Sequence, residues 1–357
     1  MRIVQLIDSL EAGGAERMAV NYANELASQI DFSGLVVSRK EGMLCELVNK
    51  NVNYLFLNRK STFDLKALFR LKSFVKINNI EIIHAHGTSF FLGFLLKLVF
   101  FRIKLVWHDH LGSRINQSLL QNIVLLLASF FFSKIIVVNN QLREWVSTKL
   151  FTSNVEFIPN FAFFDPLEIA KTNLKGVQDK RIAMIANLKN PKNHFYALNS
   201  FYNSNIALEG WSLHFVGKDF NDEYSNLLKK FILKNKLQNS VFLYGAQSDI
   251  KNILSQTTIG ILTSTAEGFP VTLLEYATMR LPIISTNVGF CNQIINHGVD
   301  SLLFNPEDIN ALENYFVKIP SDIVLWNTFA INLHKKIKNQ YSEQKVIQQL
   351  ILCYKTL

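Results

Sequence analysis

The N-terminus carries the sequence MRIVQLIDSLEAGGAERMAVNYANELASQ at residues 1–29. Ile3–Ile7 is apolar on both faces, which predicts a strand that is covered on both sides of a sheet. Gly13 and Gly14 follow this strand, and Glu16–Gln29 has a helical pattern. A strand, a glycine turn and a helix in this order predict the start of a parallel α/β sheet.

The same alternation of short apolar runs and helical patterns continues along the first half of the chain. Further strands are predicted there at Gly34–Val37, Tyr54–Leu57, Ile80–His84, Lys104–His108 and Lys134–Val138. Further helices are predicted at Asp64–Asn78, Ser89–Phe101 and Gln117–Phe132. A polar, poorly periodic stretch then interrupts the pattern at about 159–180, which indicates a boundary between two domains.

The alternation resumes after this break. Strands are predicted at Arg181–Ala186, Ser212–Val216, Val241–Tyr244, Ile259–Thr263 and Pro282–Ser285. Helices are predicted at His194–Asn203, Asn221–Lys236, Ile250–Gln256, Val271–Met279 and Cys291–Asn296. We therefore expect an α/β protein with two Rossmann-like doubly wound domains, at 1–165 and 180–320. The tail, 320–357, is expected to be helical and to pack back on the first domain.

The composition supports a folded protein with two cores. Hydrophobic residues make up 49% of the 357 residues and charged residues 18%, which excludes a disordered chain. The formal net charge of +9 favours anionic partners such as phosphates or an acidic membrane surface. A nucleic-acid partner is disfavoured, because the basic residues are spread over both halves of the chain. Three cysteines without metal-ligand spacing predict a reducing, cytoplasmic location.

Two apolar stretches, Phe90–Phe101 and Leu119–Val138, could be mistaken for membrane spans. The first has 12 residues including Lys97, and polar residues interrupt the second. A spanning helix needs about 20 mostly apolar residues. We therefore expect buried or interfacial helices here rather than spans, and residues 1–8 lack the pattern of a signal peptide.

Two carboxylates mark the predicted end of a strand in the second domain. Glu267 lies in the loop Thr263–Pro270, and Glu275 lies about one turn into the following helix. Ligands of open α/β sheets bind at this edge, where carboxylates can accept hydrogen bonds from sugar and ribose hydroxyls. The backbone amides of Thr272 and Leu273, at the start of the helix, could meet a diphosphate.

An ordered set of such segments resembles family 4 of the glycosyltransferases, a retaining group with the GT-B fold of two Rossmann-like domains facing each other across a cleft. The resemblance extends from residue 1 to about 315. Its main segments are Gly13-Gly14-Ala15-Glu16-Arg17, His84-Ala85-His86, Ile158-Pro159-Asn160, Lys192-Asn193-His194, Phe215-Val216-Gly217 and Ser264-Thr265-Ala266-Glu267-Gly268-Phe269-Pro270 with Glu275.

The resemblance implies a nucleotide-sugar donor, a UDP- or GDP-sugar, and roles for individual residues. Gly13 and Gly14 would lie near the donor diphosphate, and Glu275 would bind the donor ribose. Glu267 would contact the transferred sugar, with Gly268, Phe269 and Pro270 completing its loop. Lys192 would hold the diphosphate and offset charge on the leaving group. The family needs no metal or other cofactor, and the chain contains no Asp-x-Asp motif.

The chain departs from the family pattern beside Lys192. The family commonly has Gly-Arg-Leu before this lysine, and Asn187 stands here where the arginine is often found. Lys189, two positions later, could replace it. A lysine binds phosphate as a point charge, without the guanidinium fork.

Histidines form a second candidate group. His108 and His110 follow a predicted strand, and His110 resembles the position whose family counterpart contacts the donor sugar. His84 and His86 flank the end of the preceding strand. Two His-x-His pairs could also indicate a metal site. Because the resemblance already accounts for these histidines, no metal is expected.

The acceptor is expected in the first domain. Residues 59–76 form a basic amphipathic segment that contains Arg59, Lys60, Lys66, Arg70, Lys72 and Lys76. With the apolar helix at 89–101, this segment predicts peripheral contact with the inner face of the cell membrane and a lipid-linked acceptor. The same basic segment could equally be a solvated helix face over an ordinary core.

Three other functions compete with sugar transfer. A sugar-nucleotide epimerase has the same fold, but the Glu267–Glu275 spacing does not point to one. A non-catalytic nucleotide-sugar-binding protein is supported by Asn187 in place of the arginine. An NAD oxidoreductase would need a third glycine after Gly13 and Gly14, and none follows in phase.

Overall fold

The computed structural model describes the chain except for Ala12, Leu119, Ser153, 165–167 and 320–321, and for Ser113, Asn116 and Ile323 it describes the backbone alone. The chain divides into two compact units. The first comprises Met1–Phe161 with Glu343–Leu357, and the second comprises Ala162–Ser342. The predicted domain limits at 165 and 320, and the part of a predicted helix at Leu119, lie outside the described residues.

The first unit contains a seven-stranded parallel sheet with the strand order β3-β2-β1-β4-β5-β6-β7. Its strands are β1 (Arg2–Ser9), β2 (Phe32–Lys40), β3 (Asn53–Phe56), β4 (Ile82–His86), β5 (Lys104–Asp109), β6 (Lys134–Val137) and β7 (Val155–Phe157). Its helices are α1 (Gly14–Leu26), α2 (Leu65–Ile77), α3 (Phe90–Val99), α4 (Ile123–Ser129), α5 (Asn140–Lys149) and, from the C-terminus, α13 (Glu343–Lys355). Within the described part of the chain, no helix is long and apolar enough to cross a membrane.

The register of this sheet aligns polar side chains in its interior. Gln5 on β1 lies beside His84 on β4, and His86 lies beside His108 on β5. The Tyr354 hydroxyl on α13 lies 2.6 Å from Nδ1 of His84, so the last helix packs on this part of the sheet. The predicted helical tail is therefore shared between the two units.

The second unit contains a six-stranded parallel sheet with the order β10-β9-β8-β11-β12-β13. Its strands are β8 (Arg181–Ile185), β9 (Ser212–Val216), β10 (Val241–Leu243), β11 (Ile259–Leu262), β12 (Ile283–Thr286) and β13 (Leu302–Phe304). Its helices are α6 (His194–Asn203), α7 (Glu223–Lys234), α8 (Ile250–Ser255), α9 (Val271–Thr278), α10 (Cys291–Ile294), α11 (Ala311–Lys318) and α12 (Ile323–Gln340).

A tyrosine fixes α9 on the second sheet. The Tyr276 hydroxyl accepts a hydrogen bond from Ile185 N at 2.8 Å and lies 3.2 Å from Ala183 O and 3.3 Å from Ile261 O. A β-carbon on Gly260 would lie 2.4 Å from the tyrosine ring, so β11 makes room for the ring by having glycine there. This contact sets where α9 begins at the carboxyl edge of the sheet.

The sequence-based prediction of two doubly wound parallel sheets is confirmed. The sequence pattern did not predict four short or weakly patterned elements, namely β7, β13, α5 and α11. The helix predicted at Gln117–Phe132 was too long, because the described residues form short 3-10 turns before α4 begins at Ile123.

A carboxyl pair between α1 and α13 makes the stability of the first unit depend on pH. Burial, and then the hydrogen bond and charge of Glu343, raise the pKa of Glu25 from 4.5 to about 8. The folded state therefore keeps a proton that the unfolded chain releases. This contribution to stability is complete below pH 4.5 and is lost as the pH rises through 8.

We expect Glu25→Gln to weaken this dependence, because a glutamine amide can donate to Glu343 at any pH. Urea denaturation of the wild-type protein and the variant at pH 5 and pH 8 would measure how the unfolding free energy changes with pH. The wild-type protein should lose more unfolding free energy between these pH values than the variant does. The other titrating groups are the same in both proteins. Equal losses of unfolding free energy in the two proteins would therefore contradict a proton held between Glu25 and Glu343.

Candidate active site

Two loops of the second unit are joined at the carboxyl edge of its sheet. The loop after β11 runs from Thr263 to Pro270, and the loop after β8 contains Lys192. The Thr263 hydroxyl lies 3.1 Å from Lys192 O and 3.1 Å from Asn193 O. Thr265 N donates to Pro191 O at 2.8 Å. The backbone of each loop therefore holds the other in place.

The Lys192 ammonium and the Glu267 carboxylate meet across these joined loops. Lys192 Nζ lies 2.6 Å from Glu267 Oε1, and the Ser264 hydroxyl donates to the same oxygen at 2.6 Å. The Lys192 side chain is 28% exposed and that of Glu267 is 8% exposed. A cation that a phosphate can reach thus lies beside a carboxylate that can accept hydrogen bonds from hydroxyl groups.

A glycine from a third loop packs against the backbone of Glu267. Gly289 follows β12 and has a φ of +52°, a conformation that favours glycine. A β-carbon on Gly289 would lie 1.8 Å from Glu267 O, so any side chain there would displace the backbone of Glu267. The Thr286 hydroxyl, at the end of β12, also donates to Ser264 O at 2.7 Å.

Helix α9 begins directly after the loop that holds Glu267, with Pro270 as its N-cap. Gly268 lies between Glu267 and Phe269. The Phe269 ring is buried and stacks on Phe290 at a centroid distance of 4.8 Å, so it anchors the loop. Phe269 and Pro270 thus position the loop and the start of the helix.

The predicted amide and carboxylate ligands on α9 differ in their surroundings. Leu273 N already donates to Pro270 O at 3.1 Å, and the Thr272 hydroxyl lies 3.4 Å from Ile185 O. Glu275 is 4% exposed. Of the predicted residues, Thr272 therefore presents its amide earliest in the helix, and Glu275 lies deeper in the fold.

Two lysines share an aromatic ring near the predicted phosphate-binding segment. Lys189 Nζ lies 5.8 Å and Lys218 Nζ 5.1 Å from the centroid of the Phe220 ring. Asn187 Oδ1 accepts a hydrogen bond from Lys218 N at 2.9 Å. Sequence reasoning missed Lys218, although it directly follows the Phe215-Val216-Gly217 segment. The structure thus gives Asn187 a role in holding the Lys218 loop.

His194 lies beside this cluster and has a structural role. Its backbone N donates to the Tyr224 hydroxyl at 2.8 Å, and its Nε2 lies 3.3 Å from Ala186 O. Burial lowers the pKa of His194 to about 4, against the opposing effect of the Ala186 carbonyl. The ring is therefore neutral at pH 7 and helps to fix the loop that carries Lys192.

The predicted glycines of the first unit lie at the start of α1. Gly13 is the N-cap and has an extended backbone, with a φ of −167°. A β-carbon on Gly14 would have no atom of the described residues within 4 Å. Gly42, which the sequence analysis missed, is more constrained, because its β-carbon would lie 2.5 Å from Leu10 O.

His108 and His110 lie at the end of β5. Their rings stack at a centroid distance of 4.0 Å, and His110 Nε2 lies 2.9 Å from Nδ1 of His86. His108 is fully buried, whereas His110 is partly exposed. Burial lowers the pKa of His110 to about 3, so its ring is neutral at pH 7. Of the two, only His110 offers surface to a ligand.

Two protein-family models match this chain. A model described as Glycosyl transferases group 1 matches residues 167–338, and a model described as Glycosyltransferase Family 4 matches residues 12–162. The first of these matches contains Lys192, Glu267 and Glu275, and the second contains Gly13, His108 and His110.

Similar proteins include glycosyltransferases from several bacteria. The Escherichia coli UDP-Gal:alpha-D-GlcNAc-diphosphoundecaprenol alpha-1,3-galactosyltransferase is 23% identical over 374 residues, which cover 97% of this chain and 94% of that protein. A Haemophilus influenzae glycosyltransferase is 24% identical over 309 residues, which cover 84% of this chain and 85% of that protein. The solved structure of Anabaena HepE with UDP-glucose superposes with a TM-score of 0.84 at 18% identity, over 100% of both chains.

The contact between Gly289 and Glu267 can be tested with Gly289→Ala. We expect the added methyl group to displace Glu267 and to lower sugar-nucleotide turnover at least about tenfold, roughly 1.4 kcal/mol of barrier. Gly298→Ala is the matched control, because Gly298 has a φ of +74° and a β-carbon there would meet no described atom within 4 Å. Equal activity losses in the two variants would assign the effect to backbone strain instead.

Proposed function

The chain belongs to glycosyltransferase family 4, and on that premise we propose that it is a retaining enzyme that transfers a sugar from a nucleotide-diphosphate sugar to a lipid-linked acceptor. The observation that carries this proposal is the Lys192–Glu267 ion pair at the start of α9. We propose a uridine-diphosphate sugar as the donor, because the name of the E. coli relative specifies UDP-Gal and the Anabaena structure holds UDP-glucose. A GDP-sugar is the alternative for the same site.

In the proposed complex, Lys192 moves from Glu267 to the donor diphosphate. Its ammonium then offsets the charge that grows on the leaving phosphate as the bond between the sugar and the phosphate breaks. The Ser264 hydroxyl, 2.6 Å from Glu267 Oε1, keeps the carboxylate in place when the lysine leaves. The amide of Thr272 and the ammonium groups of Lys189 and Lys218 would add further positive charge around the diphosphate.

Glu267 is better suited to bind the transferred sugar than to attack it. Its Oε1 accepts a hydrogen bond from the Ser264 hydroxyl, which would remain after Lys192 moves to the diphosphate, and such a bond withdraws electron density from a nucleophile. In the front-face route, the departing phosphate oxygen accepts the proton of the acceptor hydroxyl, whose oxygen bonds to the anomeric carbon on the same face. This route requires a held diphosphate and an oriented sugar, and it needs no protein nucleophile.

The roles of Lys192 and Glu275 predict different kinetic effects. We expect Lys192→Ala to lower kcat about a hundredfold, roughly 2.7 kcal/mol, because it removes charge stabilisation of the leaving group. Glu275→Ala should instead weaken donor binding about tenfold or more, because it removes hydrogen bonds to the ribose. Transfer of a labelled sugar to a lipid extract would measure kcat, and titration with UDP and GDP would measure binding.

Lys229→Ala is the matched lysine control, since Lys229 forms a surface ion pair with Asp219 at 2.5 Å. Normal turnover in the Lys192 variant would remove the proposed role of that lysine. Release of free epimerised nucleotide-sugar without acceptor would instead identify an epimerase. Donor binding without turnover on any lipid fraction would indicate a non-catalytic binding protein.

We further propose that the first unit binds the membrane surface through α2, α3 and α4. Rings connect these helices and the residues next to them, with centroid distances of 5.6 Å for Phe63–Phe91, 6.5 Å for Phe91–Phe94 and 5.3 Å for Phe94–Phe131. Large apolar side chains are exposed on the same helices or directly beside them, among them Phe63, Leu65, Phe69, Ile77, Phe101, Ile123, Leu127 and Phe130. Exposed apolar groups beside basic residues suit the interface of an anionic bilayer.

The basic residues of this surface differ from the predicted set. Arg59 is buried and donates to Ser61 O at 3.0 Å and Thr62 O at 2.5 Å, so it fixes a loop and does not face solvent. Arg70 donates to Leu57 O. Lys60, Lys66 and Lys76 are exposed and Lys72 is half-buried, so the predicted lysines remain as cations of this surface.

Replacing two exposed side chains of α2 tests this surface. We expect Leu65→Ser with Phe69→Ser to reduce cosedimentation with vesicles rich in anionic lipid about tenfold or more, because it removes two inserted apolar groups. Leu208→Ser with Ile309→Ser is the control, since both side chains are exposed on the second unit. Equal binding by the two double variants would place membrane contact elsewhere.

A further inference from the structure

Four of the eight histidines of the chain lie together in the first unit. His84 and His86 are on β4, His108 is on β5, and all three are fully buried. The ring of His110 stacks on that of His108. One ring nitrogen from each of His84, His86 and His108 can be chosen so that these atoms lie within 4.8 Å of one another.

Several nitrogens of this cluster have no hydrogen-bond partner. Among the described residues, none reaches Nε2 of His84, either ring nitrogen of His108, or Nδ1 of His110. Leaving a buried polar atom unpaired is unfavourable, so a group of such atoms favours a compensating ligand. His214 in the second unit shows the ordinary arrangement, with Ser212 Oγ at 2.8 Å from Nε2 and Tyr244 Oη at 3.1 Å from Nδ1.

Outer contacts orient two of these rings as they would in a metal site. The Tyr354 hydroxyl lies 2.6 Å from His84 Nδ1 and can accept its proton, which leaves Nε2 with a lone pair. Gln5 Oε1 lies 2.8 Å from His86 Nε2 and accepts a hydrogen bond there, which leaves Nδ1 with a lone pair that faces His110 Nε2 at 2.9 Å. A partner on the second ring nitrogen is characteristic of metal-ligating histidines.

We propose that His84, His86 and His108 bind one divalent transition-metal ion, with His110 as the fourth ligand. Nitrogen ligands of this kind suit Zn²⁺ and its neighbours in the first transition row. Bonds of about 2.0–2.1 Å place tetrahedral nitrogens about 3.3 Å apart, so modest ring rotations would close the set. His110 Nε2 already lies 2.9 Å from His86 Nδ1.

The proposed ion has a structural role. His84 connects it to Tyr354 on α13, so the ion would hold the last helix on the sheet. It takes no part in breaking or forming the glycosidic bond, and the proposal does not depend on the proposed function.

Metal titration of the full chain tests this site without any sugar nucleotide. The protein is stripped with a chelator and titrated with Zn²⁺ against a chromophoric competitor, and separately with Co²⁺. We expect one ion per chain and the intense visible absorption of tetrahedral Co²⁺. His84→Gln with His108→Gln should lower Zn²⁺ affinity about a hundredfold or more. His214→Gln is the matched control and should bind as the wild type does.

Circular dichroism of the metal-free double variant would check its fold, and the Co²⁺ spectrum of the wild-type protein answers the question without any variant. Wild-type Zn²⁺ binding no tighter than that of the double variant would overturn the proposal. Octahedral Co²⁺ absorption alone would also overturn it, because it would indicate surface sites and a cluster that holds buried water.

Discussion

The ion pair between Lys192 and Glu267 is the interaction on which the site in the second unit depends. It joins side chains from the loops after β8 and β11, which a parallel sheet brings to one edge. The lysine is partly exposed and the glutamate is nearly buried, so a phosphate from solvent can contact the lysine of this pair. In the proposed complex, the pair would keep the lysine close to the diphosphate that leaves.

Close backbone contacts give this pair its fixed position. Gly289 lies directly against Glu267 O, and the Thr263 hydroxyl contacts the backbone on either side of the Lys192–Asn193 bond. Tyr276 fixes α9 to the strands behind these loops. These restraints act mostly on the backbone through hydroxyl groups and close contacts, and the proposed exchange of Lys192 from Glu267 to the diphosphate would leave them in place.

The sequence predicted the parts of this arrangement that depend on local pattern. Alternation of apolar runs and helical patterns predicted both sheets, and the Glu267-Gly268-Phe269-Pro270 segment predicted the loop before α9. It did not predict β7, which has only three half-buried residues and so no detectable periodicity. Helix α5 was also missed, although the Asn139 side chain caps it by accepting from Leu142 N, a signal that the sequence does contain.

Features that depend on register or on a side chain's final direction were beyond the sequence. Arg59 belongs to a basic segment, yet its guanidinium turns inward to backbone carbonyls. Lys218 meets Lys189 only through the Phe220 ring, and no spacing rule encodes that contact.

The histidine cluster depends on the register between β4 and β5, which sets His86 beside His108. A single histidine in a sequence is usually structural, and here His84, His86 and His110 lie in segments that resemble the family. Their joint burial leaves several ring nitrogens without a hydrogen-bond partner among the residues that the structure describes. A parallel sheet normally fills this layer with branched apolar side chains. Imidazoles in their place pack against one another and against Tyr22, but they also bring ring nitrogens into the sheet interior, and the proposed ion would satisfy those nitrogens.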